Sequence, residues 1–478
     1  MSVGETKNVK VALISPPAPS ALAFVDYQSP TVGLAILAAV LEKNGYDVTV
    51  LDCPPLHMNY NGIKQALTRF KPDIVGITSV TPTFSSALRT AQTAKEAYPQ
   101  TLVVLGGPHV TIADDEFILQ HPEVDVIVKG EGEQTLVELA HCVLGAMSLD
   151  EVAGITYRKN GQAVRTPNRP CIEYLDALPP PAYHYFPIHK YRIFGKLGLA
   201  MVTGRGCASQ CSFCVVPQIG ENSYRTRTPK SVANEMVFLR DHYHPDFISF
   251  NDEVFTYDQK RVVEICAEIR RRKITIPWDC QTRVDLVSKE LLYRMRAANC
   301  QLVCFGIESG SQKILDAMKK GITVEQNATA IRWAKEAGLS VNVSLIIGYP
   351  GETQETLKET IDFMKKTEPD DIFLFLATPY ATTELRETVL GMGWKMSQDW
   401  NDFEMQTAVF ENKGFSFGRI NNVREIFYNQ LYSPAYILRQ SLKHTIYSGI
   451  MVQNGLHQLL WRLKLPWLSA NFKKLLHM

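Results

Sequence analysis

The chain has 478 residues, 45% of them hydrophobic and 21% charged, with a formal net charge of +1. That length predicts about three domains with substantial cores, and the charge balance gives no global reason to expect a nucleic-acid partner. Ten cysteines in so long a chain do not make a disulfide scaffold and point to a reducing cytoplasm. The polar start Met1-Ser-Val-Gly-Glu-Thr-Lys-Asn runs straight into a strand, unlike a signal peptide, and no apolar run approaches the ~20 residues of a spanning helix.

In chain order, Val9–Ser15 reads as an apolar strand ending at Pro16-Pro17, and Val32–Asn44 as a helix stopped by Gly45. Strands at 47–51, 74–78, 102–105 and 124–128 alternate with helices near 62–70, 85–98 and from Glu133 onward. Continuously apolar strands separated by helices predict a doubly wound parallel sheet, whose ligands bind beyond the carboxyl ends of the strands. Those ends are small and polar: Ser79-Val-Thr81, Gly106-Gly-Pro-His109 and Gly130-Glu-Gly-Glu133. They read either as ligand contacts or as the tight turns any such fold needs. No GxGxxG follows the first strand, so this is not a dinucleotide fingerprint.

A hairpin is expected around Asn160-Gly161, then a stiff linker at Leu178-Pro-Pro-Pro-Ala. A second series follows, with strands at 199–203, 247–250, 276–281, 302–307, 341–347 and 372–377. Helices are expected near 230–243, 258–272, 288–298, 311–319, 325–337 and 354–367. Six βα repeats predict a partial (βα)6 barrel with its site at the C-terminal strand ends. The fold class is therefore α/β, with an N-terminal sheet domain over 8–142, a hairpin and Pro-rich linker over 143–194, the partial barrel over 195–395, and a mainly helical, basic C-terminal region over 396–478.

The loop after the first barrel strand reads Gly204-Arg-Gly-Cys-Ala-Ser-Gln-Cys-Ser-Phe-Cys. Cys207, Cys211 and Cys214 supply three soft thiolates, and an iron–sulfur cluster held by three cysteines keeps one iron open. A structural zinc site is the weaker alternative, since it needs four ligands and no further Cys or His follows at zinc-finger or ribbon spacing.

On this CxxxCxxC loop, with Phe213 before the last cysteine, the chain resembles the radical S-adenosylmethionine enzymes. The resemblance implies that the three thiolates hold a [4Fe–4S] cluster and that S-adenosylmethionine chelates the open iron. A reduced cluster then cleaves the sulfonium to a 5′-deoxyadenosyl radical. Other strand ends resemble the same family. Ile248-Ser-Phe-Asn-Asp-Glu-Val-Phe255 implies Asp252 and Glu253 near the cofactor's amino group, where a carboxylate suits an ammonium; a solvated acidic turn is the plainer reading. Phe305-Gly-Ile-Glu-Ser-Gly310 implies Glu308 against the ribose or methionine moiety. Leu345-Ile-Ile-Gly-Tyr-Pro-Gly-Glu352 implies Ile346 against adenine, a residue that serves equally as core. Arg283 is offered to a carboxylate, whereas Cys300 and Cys304 read as small core hydrophobes. Tyr380 reads as a substrate contact or as packing.

A doubly wound domain ahead of such a barrel resembles the cobalamin-binding subgroup, which includes methylases of unactivated carbon and the anaerobic magnesium-protoporphyrin ester cyclase. The stretch Pro30–Gly45 and Gly106-Gly-Pro-His109 carry that likeness. It implies Ser79, Thr81, Gly106, Gly107, Gly130 and Glu131 as contacts for the corrin and its nucleotide tail. The DxHxxG run that ligates cobalt through histidine is absent, and His109 lies in a different turn. The implied reaction is methylation of an unactivated carbon in a lipid or tetrapyrrole-like small molecule, with cyclisation or oxidative carbon–carbon coupling as the alternative and an external donor such as a flavodoxin or ferredoxin supplying electrons. A non-catalytic cobalamin or iron–sulfur sensor is the reading from another class.

From Ile426 to Met478 there is no Asp or Glu, while Arg439, Lys443, Arg462, Lys464, Lys473 and Lys474 alternate with leucines and aromatics. This tail suits peripheral contact with an anionic membrane, or a helix packed on the barrel beneath lysine stems. The expected location is the cytoplasm, with membrane association as its variant.

Overall fold

The computed structural model describes residues 8–18, 29–193, 195–220, 222–412, 427 and 434–442. It divides into two units. The first comprises residues up to Tyr191 with 218–225 and 399–404; the second comprises 192–217, 226–398 and the chain from 405 onward.

The first unit is built on strands β1 (Lys10–Ser15), β2 (Asp47–Asp52), β3 (Ile74–Thr78), β4 (Leu102–Gly106) and β5 (Val126–Val128), followed by β6 (Ile155–Lys159) and β7 (Gln162–Arg165). Their order is β2-β1-β3-β4-β5-β6-β7, parallel through β5. Successive residues Val11, Ala12, Leu13 and Ile14 are all fully buried, as a strand covered on both faces requires. Helices Tyr60–Phe70 and Phe84–Ala97 bring Ile63, Leu67, Ala87, Ala91 and Ala94 into one cluster with Ala12, Ile14, Val75, Ile77, Val103 and Leu105. Successive strands are added to one side of β1 and then to the other, so the strand order reverses between β1 and β3 and their carboxyl ends form the switch-point crevice.

The expected hairpin forms, with Asn160 at φ 52° and Gly161 at φ 79°, the left-handed pair a type I′ turn needs. It does not stand apart as a boundary element. β6 pairs antiparallel with β5 and extends the sheet. The proline run is also docked: Ala182 N–H donates to the Ala35 carbonyl at 2.9 Å, and Tyr183 is fully buried.

In the second unit, β8 (Arg192–Ile193) and β9 (Lys196–Met201) precede the short β10 (Gly204–Arg205); β11 (Arg225–Thr226) falls where the chain passes from the first unit back into the second. Then come β12 (Phe247–Phe250), β13 (Trp278–Thr282), β14 (Cys300–Glu308), β15 (Ser340–Ile347) and β16 (Asp371–Leu376), each separated by helices. The order β16-β15-β14-β13-β12-β9-β8 is parallel from β9 to β16. This is the expected open barrel of six parallel strands. One face carries Cys280, Val303, Phe305, Val341, Val343 and Leu345, all buried. The alternate face is polar: Gln281, Cys304, Asn342 and Asp371 lie side by side in register across four strands. Closed barrels fill that layer with branched aliphatics, so here the interior is built for polar contents.

Of the basic tail, only the short helix Pro434–Ser441 and a few neighbouring residues are described. It packs on the barrel: the Tyr436 hydroxyl donates to the Asp370 carbonyl and Gln440 Nε2 to Asp370 Oδ1. Lys443, Arg462, Lys464, Lys473 and Lys474 lie outside the described residues, as does the Arg439 side chain. Among the described residues no helix is long and apolar enough to cross a membrane.

Candidate active site

The cysteine loop leaves β9 and is pinned chiefly through Ser212. Its N–H donates to the Met318 carbonyl at 3.0 Å and its carbonyl accepts from Leu385 N–H at 2.8 Å. Its hydroxyl meets the Tyr349 phenol at 2.7 Å. One residue between two cysteines thus ties the loop to the regions following β14, β15 and β16. Burial raises the Cys211 thiol, against the lowering pull of Lys320 and Arg283, and pushes Cys214 up to about 11. These thiols must lose their protons to bind metal, and the nearby cations favour that loss.

Among the described residues no three Cys, His, Asp or Glu side chains converge on a point that would hold a single ion. Three thiolates on one loop suit a cluster, in which each binds a different iron.

The acidic residues around the loop separate into two roles. Asp252 is fully buried; its Oδ1 accepts from Thr203 N–H and its Oδ2 from the Thr203 hydroxyl, both at 2.6 Å. Burial lifts its carboxyl to about 6 against those hydrogen bonds. Both oxygens being engaged by the end of β9, Asp252 orients the loop. Glu253 beside it is exposed, with Oε2 accepting from Gly206 N–H at 3.1 Å. Of the two carboxylates, Glu253 is the one open to a ligand.

Glu308 ends β14 at φ 59°, a left-handed conformation that a non-glycine residue adopts at a cost. The β14–β15 register shifts there, turning the side chain inward. Its Oε1 receives Lys320 Nζ at 2.8 Å and its Oε2 the Ser344 hydroxyl at 3.2 Å. Lys320 is 6% exposed and its Nζ lies 5.8 Å from the Phe213 ring centroid, so the thiol loop, the Glu308 carboxylate and one ammonium form a single cluster. Ile346 is half-buried on the same strand face as Ser344, in register with Phe375. Arg283 meets the carboxylate of Asp285 (2.9 and 3.0 Å) and Cys211 Sγ (3.5 Å). Cys300 is fully buried. Cys304 instead lies on the polar interior face, its thiol raised by burial and by Glu308.

Sequence reasoning missed Lys320, Thr203, Ser212 and Asn342. The one legible signal was Met318-Lys-Lys-Gly321, a charged pair just after a short helix. Asn342, 7% exposed, carries a side-chain oxygen with no hydrogen-bond partner among the described residues. A buried orphan acceptor on a polar interior face is what a ligand-receiving cavity leaves when its contents are not counted.

At the sheet edge of the first unit, the Ser79 hydroxyl donates to the Gly106 carbonyl at 3.0 Å. Gly107 sits at φ 99°, and a Cβ there would lie 2.6 Å from the Ser79 carbonyl oxygen, so this glycine is required by packing. Gly130, at φ 77°, faces open space, which a bulky ligand could enter. Glu131 is held in an ion pair with Arg225 at 2.9 Å and accepts from Ile172 N–H at 2.6 Å. Thr81 is bonded to His109 Nδ1 at 3.1 Å. His109 is wedged between Phe84 (4.2 Å) and Trp400 (5.2 Å), and burial lowers it to about 4, so the ring is neutral near pH 7. The small residues and the opening at Gly130 fit a large ligand laid on the edge.

Fold and site together define a radical S-adenosylmethionine enzyme preceded by a ligand-binding sheet domain. Residues 20–140 match the B12 binding domain and residues 201–364 the Radical SAM superfamily. An uncharacterized methyltransferase of Pyrococcus horikoshii is 32% identical over 95% of this chain and 98% of its own length. The anaerobic magnesium-protoporphyrin IX monomethyl ester cyclase of Rubrivivax gelatinosus is 32% identical over 84% of this chain and 74% of its own. The cobalamin-dependent S-adenosylmethionine radical enzyme OxsB, solved with aqua-cobalamin and S-adenosylmethionine, matches with TM-score 0.74 and 18% identity over 95% of this chain and 72% of that one. The chain belongs to the cobalamin-binding radical S-adenosylmethionine family. Its cofactors are a [4Fe–4S] cluster, S-adenosylmethionine and cobalamin.

Proposed function

We propose that this enzyme methylates an unactivated carbon of a lipid or tetrapyrrole-like small molecule, with Cys207, Cys211 and Cys214 as the cluster ligands. The observation that carries the site is the convergence of the cysteine loop, Lys320 and Glu308 at the carboxyl ends of the barrel strands. When bound, the cofactors supply a carbon-centred radical and a methyl group; the protein supplies orientation, a dry cavity and tuned potentials.

Glu308 and Lys320 present one fixed negative and one fixed positive charge to the zwitterionic methionine end of S-adenosylmethionine, and Glu253 adds an exposed carboxylate for its ammonium. Phe213 and Ile346 offer apolar contact for its adenosine. In the sheet domain, Gly130 leaves room for the corrin and Gly106 and Gly107 permit close backbone approach, while Ser79, Thr81 and Glu131 shape the edge through bonds within the protein. His109, bonded to Thr81 and packed between Phe84 and Trp400, would serve the packing of the sheet domain rather than hold the cofactor. An external flavodoxin or ferredoxin is the electron donor in this reading, and the composition of Ile426–Met478, basic and without Asp or Glu, suits peripheral contact with an anionic membrane.

The test is anaerobic reconstitution with iron, sulfide and hydroxocobalamin, then reduction in the presence of S-adenosylmethionine carrying a deuterated methyl group. Production of 5′-deoxyadenosine, and transfer of label to lipid or pigment extracts, is expected. An intact cluster with no 5′-deoxyadenosine sinks the radical reading; 5′-deoxyadenosine with loss of substrate hydrogens and no label selects cyclisation. Cys211→Ala abolishes both products, whereas Cys300→Ala retains them.

A further inference from the structure

All three candidate ligand thiols accept hydrogen bonds, but of different kinds, Cys214 from the backbone N–H of Val216. Cys207 Sγ takes a backbone N–H from Ser209 at 3.4 Å. Cys211 Sγ takes the Nη1–H of Arg283 at 3.5 Å. The guanidinium is fixed on every other side. Nε and Nη2 fork onto the two oxygens of Asp285 at 2.9 and 3.0 Å, and Nη2 also donates to the Lys320 carbonyl at 2.7 Å. Arg283 is 7% exposed and sits at the end of β13, a rigid strand between β12 and β14. A planar fork so held has one orientation, and in it Nη1 points at sulfur.

We propose that Arg283 is a positioning residue that sets the reduction potential of the cluster by donating a charge-assisted N–H···S bond to its ligand Cys211, with Asp285 aiming the donor. The inference rests on the reading that Cys207, Cys211 and Cys214 hold that cluster. One-electron reduction would make the cluster more negative by one charge, part of which the thiolate sulfurs carry. A hydrogen-bond donor on sulfur therefore stabilises the reduced form more than the oxidised one and raises the potential. Asp285 neutralises much of the arginine's charge at longer range, so the directional bond dominates. Arginine serves here where lysine would not, because a lone ammonium cannot grip Asp285 and aim a second donor at once.

The test uses the full-length reconstituted protein without S-adenosylmethionine. Iron and sulfide content are measured first, and the midpoint potential is then read by EPR-monitored titration. Arg283→Gln shifts the midpoint to more negative values at unchanged cluster content, and Arg283→Lys shifts it in the same direction by less. In wild-type protein grown with 15N-arginine, pulsed EPR of the reduced cluster shows an arginine nitrogen coupling that Arg283→Lys removes. An unmoved potential in a loaded Arg283→Gln variant overturns the proposal. If that variant loses its iron, absence of the arginine coupling in wild type overturns it equally. A wild-type protein that holds no cluster defeats the underlying reading instead, which the iron measurement reveals before any potential is taken.

Discussion

Glu352 links the chemistry of one buried carboxyl to the placement of the cysteine loop. It lies in the turn after β15, 3% exposed, and accepts hydrogen bonds from the backbone N–H groups of Gly348 and Tyr349. Tyr349 in turn touches Ser212, and Asn412 Nδ2 holds the Gly348 carbonyl at 3.1 Å. Burial raises the Glu352 carboxyl from its ordinary 4.5 to about 8, against the lowering effect of those two N–H groups. Between these values the unfolded chain has lost a proton that the folded chain keeps. Stability from this group is thus fully present below pH 4.5 and falls as pH rises through 8. The difference is on the order of 5 kcal/mol at 1.36 kcal/mol per pH unit.

Glu352→Gln keeps a carbonyl oxygen for the Gly348 N–H and cannot ionise. Urea denaturation of wild type and variant from pH 5 to 8.5 reads the effect, since groups common to both proteins cancel in the difference. The variant gains on the wild type steadily with pH and overtakes it in the alkaline range. Glu352→Ala, which strands two N–H groups, loses about 1–3 kcal/mol for each one left buried and unbonded. Identical pH profiles for wild type and Glu352→Gln refute the reasoning.

Lys320→Met leaves Glu308 buried without its cation and costs about 3–5 kcal/mol, while pairing it with Glu308→Leu recovers most of that loss; denaturation midpoints of the single and double variants check both. Gly107→Ala drives a Cβ into the Ser79 backbone at an unfavourable φ and costs upwards of about 2 kcal/mol. Gly130→Ala meets open space and costs about 1 kcal/mol, yet it weakens cobalamin binding, measured by retention of corrin absorbance after gel filtration.

Much of the fold was legible because its signals are local. Apolar runs such as Val11–Ile14 and Leu102–Leu105, punctuated by Gly45 and by Asn160-Gly161, mark strands and turns through short-range sterics and burial alone. The cysteine triplet was legible for the same reason, its three thiols lying within eight residues. The hairpin's attachment to β5 was not, because a pattern of alternation says that a strand exists and not which edge it joins.

The sequence by itself determined two α/β units, a three-cysteine loop and the family to which both belong. Only the tertiary structure decided what each charged residue does. Asp252 and Glu253 are neighbours in sequence, yet one is spent on Thr203 and the other faces outward. Glu308 meets Lys320, and Arg283 meets Cys211, across separations of 12 and 72 residues. A buried charge is defined by its partner, and partners are chosen by strand order and register, which no single stretch of sequence contains.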